Sequence, residues 1–158
     1  MEYCIIIRGP AGIGKTTISK ELAKAIDAKY FSFDKIMKDN KLDDIVGDGI
    51  AAENFVKANE IILSEMKKHK RVVLDGCFYR KKQMEHLLHK LSSKVFIFTL
   101  LADITECHKR NLSRKNPLSK ENVKQVYDLV CKLKVGTDIR VRNKEVHTVV
   151  SEIISHIN

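Results

Sequence analysis

Short apolar runs alternate along this chain with longer segments in which apolar residues recur at helical spacing. Tyr3–Arg8 contains three consecutive isoleucines and ends at Gly9-Pro10, which is typical of a strand buried on both faces. After the glycines, apolar residues recur at steps of three and four, which predicts a helix. The chain therefore begins with a strand, a glycine-rich loop and a helix.

The same alternation continues to the end of the chain. Compact apolar runs predict further strands at residues 31–33, 71–75, 95–101 and 139–142. Helical periodicity predicts helices around residues 51–66, 84–91, 104–115, 119–130 and 146–157. The polar segment 41–49 contains two glycines and is predicted to be a mobile connection. This order predicts an α/β fold whose parallel sheet is covered on both faces and binds ligands at the carboxyl ends of its strands.

Composition narrows the class of protein. A length of 158 residues and an apolar content of 44% suit one domain, spanning residues 1–158, with a single core. The longest apolar stretch, residues 95–102, is too short to cross a membrane. Four widely spaced cysteines and the lack of a secretory-type start lead us to expect a reducing cytoplasm. The formal net charge of +9 suits an anionic substrate or nucleic acid, although lysine-rich helix surfaces explain it equally well.

The loop after the first strand carries the strongest chemical signal. It reads Gly9-Pro10-Ala11-Gly12-Ile13-Gly14-Lys15-Thr16, which matches G-x-x-x-x-G-K-[ST] in full between a predicted strand and helix. Its backbone amides can surround a phosphate at a helix N-terminus, while Lys15 reaches the β- and γ-phosphates and Thr16 ligates magnesium. We therefore predict a site for ATP and Mg²⁺. Its expected nucleotide-binding residues are Gly9, Ala11, Gly12, Ile13, Gly14, Lys15, Thr16 and Thr17.

Two carboxylates follow predicted strands. Asp75 ends an apolar strand in a pattern that holds magnesium directly or through a water, although many buried strands end in aspartate at a turn. Asp34 ends the second strand, where a carboxylate can orient and deprotonate an acceptor hydroxyl. A helix N-cap role for Asp34, before a helix beginning at Lys35, is compatible with that role. Lys38, one turn further along, can bind an anionic part of the acceptor.

Basic residues stand at two further places. Arg110 and Arg114 are predicted to share one helix face in a helical lid over residues 104–134, where one stacks on adenine and Arg114 neutralises the transferring phosphoryl group. Alternatively, they belong to the solvated side of a surface helix. Tyr79 and Arg80 lie beyond Asp75, and an aromatic residue beside a basic cluster suits a nucleoside or nucleic-acid acceptor, but also an ordinary helix start.

Taken together, these motifs resemble one family over nearly the whole chain. The glycine-rich loop, Phe33-Asp34-Lys35, the strand ending at Asp75-Gly76 and the Arg110–Arg114 helix are similar to the AAA-type ATP-binding P-loop kinases related to polynucleotide kinase, zeta toxin and chloramphenicol phosphotransferase. The resemblance implies a three-layer fold of the adenylate-kinase-like group, with a five-stranded parallel sheet in the order 2-3-1-4-5 and a small helical lid.

The resemblance also implies roles for particular residues. Asp34 is expected to activate the acceptor, Arg110 and Arg114 to be the lid arginines, and Arg142 and Asn143 to border the adenine. One departure from the pattern of related kinases argues against two classes of acceptor. No arginine occurs between Arg8 and Arg71, where nucleoside monophosphate kinases and shikimate kinase supply one for the acceptor's anionic group, and Lys38 substitutes only as a point charge.

One function and two alternatives follow. The leading hypothesis is a Mg²⁺- and ATP-dependent kinase acting on a hydroxyl of a small molecule, such as a nucleoside or metabolite, through Asp34, Lys15 and Arg114. Lys38, Tyr79 and Arg80 are the further substrate candidates. The first alternative is a polynucleotide 5′-hydroxyl kinase, which the basic charge favours. The second is a nucleotide-binding switch without an acceptor, although no N-K-x-D guanine motif occurs. Fold similarity cannot choose the acceptor.

Overall fold

A computed structural model describes residues 1–46 and 49–157. Its strands are β1 (Tyr3–Arg8), β2 (Lys29–Ser32), β3 (Ile45–Val46), β4 (Gly49–Ile50), β5 (Arg71–Gly76), β6 (Lys94–Leu101) and β7 (Thr137–Arg140). Its helices are α1 (Lys15–Ala25), α2 (Phe33–Asp39), α3 (Ala52–Met66), α4 (Lys81–Lys90), α5 (Ile104–Leu112), α6 (Lys120–Lys132) and α7 (Val146–Ser155). Within the described ranges no helix has the length and apolar character needed to span a membrane.

Five parallel strands form one sheet in the order β2-β5-β1-β6-β7. The short strands β3 and β4 pair antiparallel with each other outside this sheet, and without them the order is the predicted 2-3-1-4-5. In register, Asp75 of β5 lies level with Ile7 of β1 and with Ser32 of β2. Because the strands are parallel, the segments that follow β1, β2 and β5 meet at one edge of the sheet.

Helices cover both faces of the sheet and enclose two hydrophobic cores. Side chains of β1 alternate between them, with Ile5 and Ile7 in one core and Cys4 and Ile6 in the other. The first core also contains side chains of α1 and α7, and the second those of α2, α3 and α4. The apolar run in β1 is thus buried on both sides, which confirms the predicted three-layer α/β fold.

Several elements differ from their predicted extents. The second strand, predicted over residues 31–33, spans Lys29–Ser32, so Asp34 does not end it, and the following helix begins at Phe33 rather than at Lys35. The predicted connection over residues 41–49 contains the β3–β4 pair, and residues 47 and 48 lie outside the described part of the chain. The last strand, predicted over residues 139–142, spans Thr137–Arg140 and therefore does not include Arg142. The helix predicted over residues 104–115 ends at Leu112.

Asn111 explains the early end of α5. Its side chain is buried, its Nδ2 donates to the carbonyl of Leu118 at 2.8 Å, and its Oδ1 accepts from the Leu118 amide at 3.1 Å. These two bonds turn the chain back toward α6. The Ser119 hydroxyl then accepts from the amide of Asn122 at 3.1 Å, which confirms the predicted N-cap of α6.

Arg8 anchors the other end of α6 to the sheet. Its fully buried guanidinium donates to Thr99 Oγ1 at 3.0 Å and to the carbonyls of Val130 and Leu133 at 3.0 and 2.8 Å. Both carbonyls lie at the C-terminal end of α6, where the helix supplies no further backbone donors and favours positive charge. The strand that leads into the glycine-rich loop therefore also holds α6.

Gly136 provides a test of the β6–β7 edge. Its φ is +73°, and a Cβ there would lie 2.2 Å from the carbonyl oxygen of Ile97 on β6. We predict that Gly136→Ala lowers the free energy of unfolding by about 2–4 kcal/mol, because strained backbone and a rigid backbone contact must both give way. Urea unfolding followed by circular dichroism measures the change. The control is Gly49→Ala, whose Cβ would have no described atom within 4 Å; equal losses in both variants would contradict this packing.

Candidate active site

A cavity of about 800 Å³ opens at the carboxyl edge of the sheet. The loop between β1 and α1, helix α2, the segment after β5 and the α5–α6 region all contribute to its lining. It brings together eleven of the residues predicted from sequence: Ala11, Gly12, Gly14, Lys15, Thr16, Thr17, Asp34, Lys38, Tyr79, Arg110 and Arg114. The residues predicted for nucleotide, acceptor and lid therefore face a common space.

The glycine-rich loop is shaped by positive φ angles and by its contact with α5. Gly12 and Gly14 have φ angles of +81° and +97°, a region that favours glycine. A Cβ on Gly12 would lie 2.4 Å from the carbonyl oxygen of Cys107 on α5. The side chain of Ile13 packs into the core instead of the cavity, so this residue can offer a ligand only its backbone. Gly9 also lies outside the lining, tight against Leu100.

Lys15 and Arg110 lie against this loop. Lys15, at the start of α1, is buried, and its Nζ donates to the carbonyl of Pro10 at 2.9 Å. Arg110 donates from Nη1 to the carbonyl of Ile13 at 3.2 Å and from Nε to Glu106 at 2.7 Å. Two cations therefore lie where the loop would hold phosphates, and the loop's carbonyls serve as their partners.

Asp75 lies beneath the cavity, with only 2% of its surface exposed. Tyr30 donates to its Oδ2 at 3.1 Å. Burial raises the pKa of Asp75, while the Thr16 hydroxyl, the Lys15 ammonium and the Tyr30 hydroxyl oppose that rise. Burial, followed by the charge of Asp75, raises the pKa of Tyr30 to about 12, so Tyr30 remains a donor.

This donor set fits a magnesium ion. A carboxylate and a hydroxyl from Asp75 and Thr16 are the oxygen ligands that magnesium prefers, and they meet beside a phosphate-type loop. Magnesium commonly takes one or two protein ligands and fills its other positions with phosphate oxygens and water.

Asp34 stands in the first turn of α2, directly after β2. The N-cap of that helix is Ser32, whose Oγ accepts from the amide of Lys35 at 3.3 Å. The predicted N-cap role of Asp34 is therefore wrong, and its carboxylate is exposed and lines the cavity. Lys38 follows one turn later, also exposed and on the cavity lining.

Arg114 lines the cavity from a bend in the chain, whereas a helix was predicted there. The prediction that it shares a helix face with Arg110 is wrong, because α5 ends at Leu112 and Arg114 lies in the bend that Asn111 holds. Both arginines nevertheless line the cavity.

Besides Gly9, Ile13 and Asp75, three predicted residues are not among the cavity-lining residues, namely Arg80, Arg142 and Asn143. The guanidinium of Arg80 lies 4.6 Å from the centre of the Phe55 ring and donates to the carbonyl of Ile50 at 3.2 Å. Arg142 forms an exposed ion pair with Asp103 at 2.6 Å, and Asn143 follows it with a φ of +56°. Arg142 and Asn143 lie there because β7 ends at Arg140 and the chain turns toward α7.

Several lining residues were missed by sequence reasoning. Phe33 stacks on Phe55 with ring centres 6.3 Å apart and lies 5.1 Å from Phe78. A signal for two of these rings was present, since Phe33 directly precedes Asp34 and Phe78 directly precedes the predicted Tyr79. Gln83 carried no signal, because a glutamine near a helix start is ordinary. The remaining missed residues are Met37, Asp43, Ile50, Phe55, Cys77, Ser113, Leu118 and Val126.

Comparison with known proteins identifies the family. Residues 4–128 match AAA_33, a family of AAA domains. The chain belongs to this family. The predicted resemblance to AAA-type P-loop kinases is thereby confirmed.

Individual proteins are similar to this chain over most of its length. A shikimate kinase of Actinobacillus succinogenes is 26% identical over 129 residues, which span 78% of this chain and 73% of that protein. The solved structure of a gluconokinase from Sinorhizobium meliloti superposes with a TM-score of 0.76 at 12% identity, covering 96% of this chain and 89% of the gluconokinase. A sugar kinase structure from Janibacter gives a TM-score of 0.78 at 12% identity, covering 99% and 95%.

The buried carboxylate of Asp75 yields a prediction about stability. Burial raises the pKa of Asp75 in the folded state. Keeping Asp75 ionised at neutral pH therefore lowers the free energy of unfolding of the ligand-free protein. We predict that Asp75→Asn melts at a higher temperature than the wild type at pH 7, while losing magnesium-dependent nucleotide binding. The stability difference should shrink as the pH falls through the raised pKa, since Asp75 then becomes neutral. Calorimetry across pH measures it, and an Asp75→Asn variant less stable at neutral pH would contradict this reading.

Proposed function

We propose that this protein is an ATP-dependent kinase that transfers the γ-phosphate to a hydroxyl of a small molecule. The observation that carries the proposal is the cavity in which Lys15 and Thr16 of the phosphate loop face Asp34 and Arg114. Phosphoryl transfer needs a site that holds the phosphates of the donor, a carboxylate for the acceptor and a positive charge for the transition state, and these residues supply all three in our proposal. Membership of the AAA_33 family and the similarity to shikimate kinase support the same function.

The phosphate loop and Lys15 bind the donor. In the free protein Lys15 donates to Pro10, and this weak partner can be exchanged for phosphate oxygens when ATP enters. Thr16 and Asp75 would hold magnesium, which supplies positive charge at the β- and γ-phosphate oxygens. Arg110, already bonded to the loop at Ile13, adds charge on the α5 side.

Asp34 acts on the acceptor. Its carboxylate lines the cavity at the carboxyl end of β2, next to the strand that carries Asp75. There it accepts a hydrogen bond from the acceptor hydroxyl and orients the oxygen toward the γ-phosphate. It takes the hydroxyl proton as the bond from the acceptor oxygen to the γ-phosphorus forms and the bond from that phosphorus to the bridging oxygen of ADP breaks, so that ADP leaves. Lys38 and Tyr79 contribute further to the wall on which the acceptor lies.

A small molecule is favoured over a polynucleotide by the fate of the basic cluster near Tyr79. Arg80 packs on Phe55 and is bonded to Ile50, and Lys81 lies 3.7 Å from Glu85 in an ion pair. The guanidinium of Arg80 is thus engaged within the protein, which leaves it less available to a phosphate backbone, whereas Lys81 and Lys82 are exposed. Arg80 is therefore part of the cavity's supporting structure in our proposal.

We place the enzyme in the cytoplasm. Its four cysteines are free thiols, and Cys4 and Cys107 are buried among apolar side chains. Reduced cysteines and an ATP requirement both suit that compartment.

Replacement of Asp34 tests the proposed reaction. We predict that Asp34→Asn lowers the rate of phosphate transfer to an acceptor by roughly a hundred- to ten-thousand-fold, because the general base is lost. Affinity for ATP should change little, since Asp34 serves the acceptor side. Transfer from γ-labelled ATP is measured with magnesium against two pools, nucleosides with other small metabolites and 5′-hydroxyl oligonucleotides.

The matched control is Asp39→Asn, on the same helix, where Asp39 is exposed and paired with Lys35. Label entering a small compound in the wild type and in this control, but not in Asp34→Asn, supports the proposal. Label entering oligonucleotides would make the protein a polynucleotide kinase. Release of label only as inorganic phosphate, equally in all three proteins, would mean a nucleotide switch and would overturn the proposal.

Arg114 is the proposed catalytic arginine, carried by a lid over residues 104–134. We predict that Arg114→Gln lowers kcat by roughly a hundredfold or more with a smaller change in the KM for ATP, because its charge acts mainly in the transition state. Lys115→Gln is the control, since the neighbouring Lys115 does not line the cavity. Steady-state kinetics separates the two constants. An equal, small loss in both variants would assign Arg114 to the solvated surface.

A further inference from the structure

One side of the cavity is built from aromatic and aliphatic side chains. Phe33, Phe55 and Phe78 form a contacting group, and Tyr79 meets Phe55 edge-on with ring centres 6.2 Å apart. Phe33, Phe55 and Phe78 are buried members of the core beneath the sheet, so their positions are fixed by packing. Since this wall adjoins Asp34, it is the place where the body of the acceptor lies, given the proposed kinase function.

The charges on this side do not favour an anionic acceptor. The cations that line the cavity are Lys15, Lys38, Arg110 and Arg114, and three of them belong to the phosphate loop or the α5–α6 region. Lys38 is exposed, and on the same side stand the carboxylates of Asp34 and Asp43. A carboxylate group moved from water onto this wall would lack a buried cation among the described residues, which costs free energy.

Arg80 does not add a positive charge to the lining on this side of the cavity. Its Nε is buried without a hydrogen-bond partner among the described residues, and its guanidinium lies over the Phe55 and Tyr79 rings at 4.6 and 5.7 Å. It also donates to the Ile50 carbonyl, and Arg80 is not among the residues that line the cavity. Its role is to hold the wall.

Gln83 is the polar exception on this wall. Only 3% of its surface is exposed, yet it lines the cavity. Its Nε2 has no hydrogen-bond partner among the residues that the structure describes. A buried amide that lacks a partner is unfavourable, and a ligand that supplied one would recover that free energy.

The backbone of Gln83 is held in place by α3. Asn59, fully buried on α3, donates from Nδ2 to the Gln83 carbonyl at 3.0 Å and lies 3.2 Å from Nδ1 of His86. His86 Nε2 in turn lies 3.0 Å from Glu60. This network fixes the first turn of α4, so the backbone from which the Gln83 side chain extends is rigid.

We propose that the acceptor is an uncharged ring alcohol and that Gln83 selects it by hydrogen bonding to an amide or carbonyl group on the ring. The aromatic wall binds the ring by stacking and edge contacts. The unpartnered Nε2 of Gln83 is a donor, so the ligand must present an acceptor, such as the carbonyl oxygen of an amide. That this acceptor is neutral follows from the lack of a buried cation on the wall among the described residues. A site built around a hydrogen bond rejects analogues that lack it more strongly than an apolar pocket rejects an extra methylene.

A matched pair of probes tests this selection without knowledge of the natural acceptor. They are para-hydroxymethyl benzamide and para-hydroxymethyl benzoate, which share the ring and the hydroxyl and differ in charge. Their dissociation constants are measured by NMR titration with a non-hydrolysable ATP analogue and magnesium bound. We expect the benzamide to bind about tenfold more tightly, and Gln83→Leu to weaken it about tenfold, as for one buried hydrogen bond. Gln125→Leu, an exposed glutamine on α6, should change neither constant.

Gln83→Glu provides a second variant with the shape of the side chain preserved, and it should also weaken the benzamide. Tighter binding of the benzoate, an unchanged benzamide constant in both Gln83 variants, or no binding of either probe would each overturn the inference. These outcomes leave the kinase proposal intact, because that proposal fails only if phosphate transfer to small hydroxyl compounds is absent. A benzoate preference lost in Lys38→Gln would assign the acceptor's recognition to Lys38 instead.

Discussion

The structure depends on the contact between the glycine-rich loop and helix α5. Gly12 comes so close to the Cys107 carbonyl that a Cβ would lie 2.4 Å from it. Close approach of two backbones is possible only where no side chain stands between them. The contact places Arg110 over the loop, where it donates to Ile13, and lets the following bend carry Arg114 to the same cavity. The phosphate site and the proposed lid are thus joined through a glycine.

The charged residues of the site lack their proposed ligands in the free protein. Lys15 and Arg110 donate to backbone carbonyls there, and Asp75 is buried with its pKa raised. Each of these groups would be better satisfied with phosphates and magnesium present than without them. The free site is therefore costly in stability, as is common where function requires charges to be held in place before a ligand arrives. The apolar cores on both faces of the sheet offset this cost.

The fold was largely predictable because local and global signals agree. The apolar run of β1, the full glycine-rich motif and the periodicity of α1 and α7 each specify an element that tertiary packing retains. Failures arose where a side chain competes with the backbone pattern. Asn111 ends α5 early by bonding to Leu118, and Ser32 takes the N-cap role for which Asp34 was a candidate.

The residues of the site were predictable only where they belong to one contiguous sequence motif. Lys15 and Thr16 follow from the loop's spacing, whereas the acceptor wall is assembled from α2, α3 and the segment after β5. Phe55 and Gln83 have no sequence neighbour that marks them, so their shared cavity emerges only from the packing of α3 against α4. Arg80 shows the converse, since this basic residue beside an aromatic one packs on the Phe55 ring and is not among the cavity-lining residues.

The central claim is that the γ-phosphate of ATP passes to a small alcohol and not to water. Phosphorus NMR of the wild-type protein with ATP, magnesium and a small-molecule cell extract follows that phosphate directly. A new phosphomonoester signal, split by coupling to the protons on the carbon that bears the phosphate oxygen and growing in step with ADP, is the predicted result. ADP accompanied only by inorganic phosphate would contradict the claim.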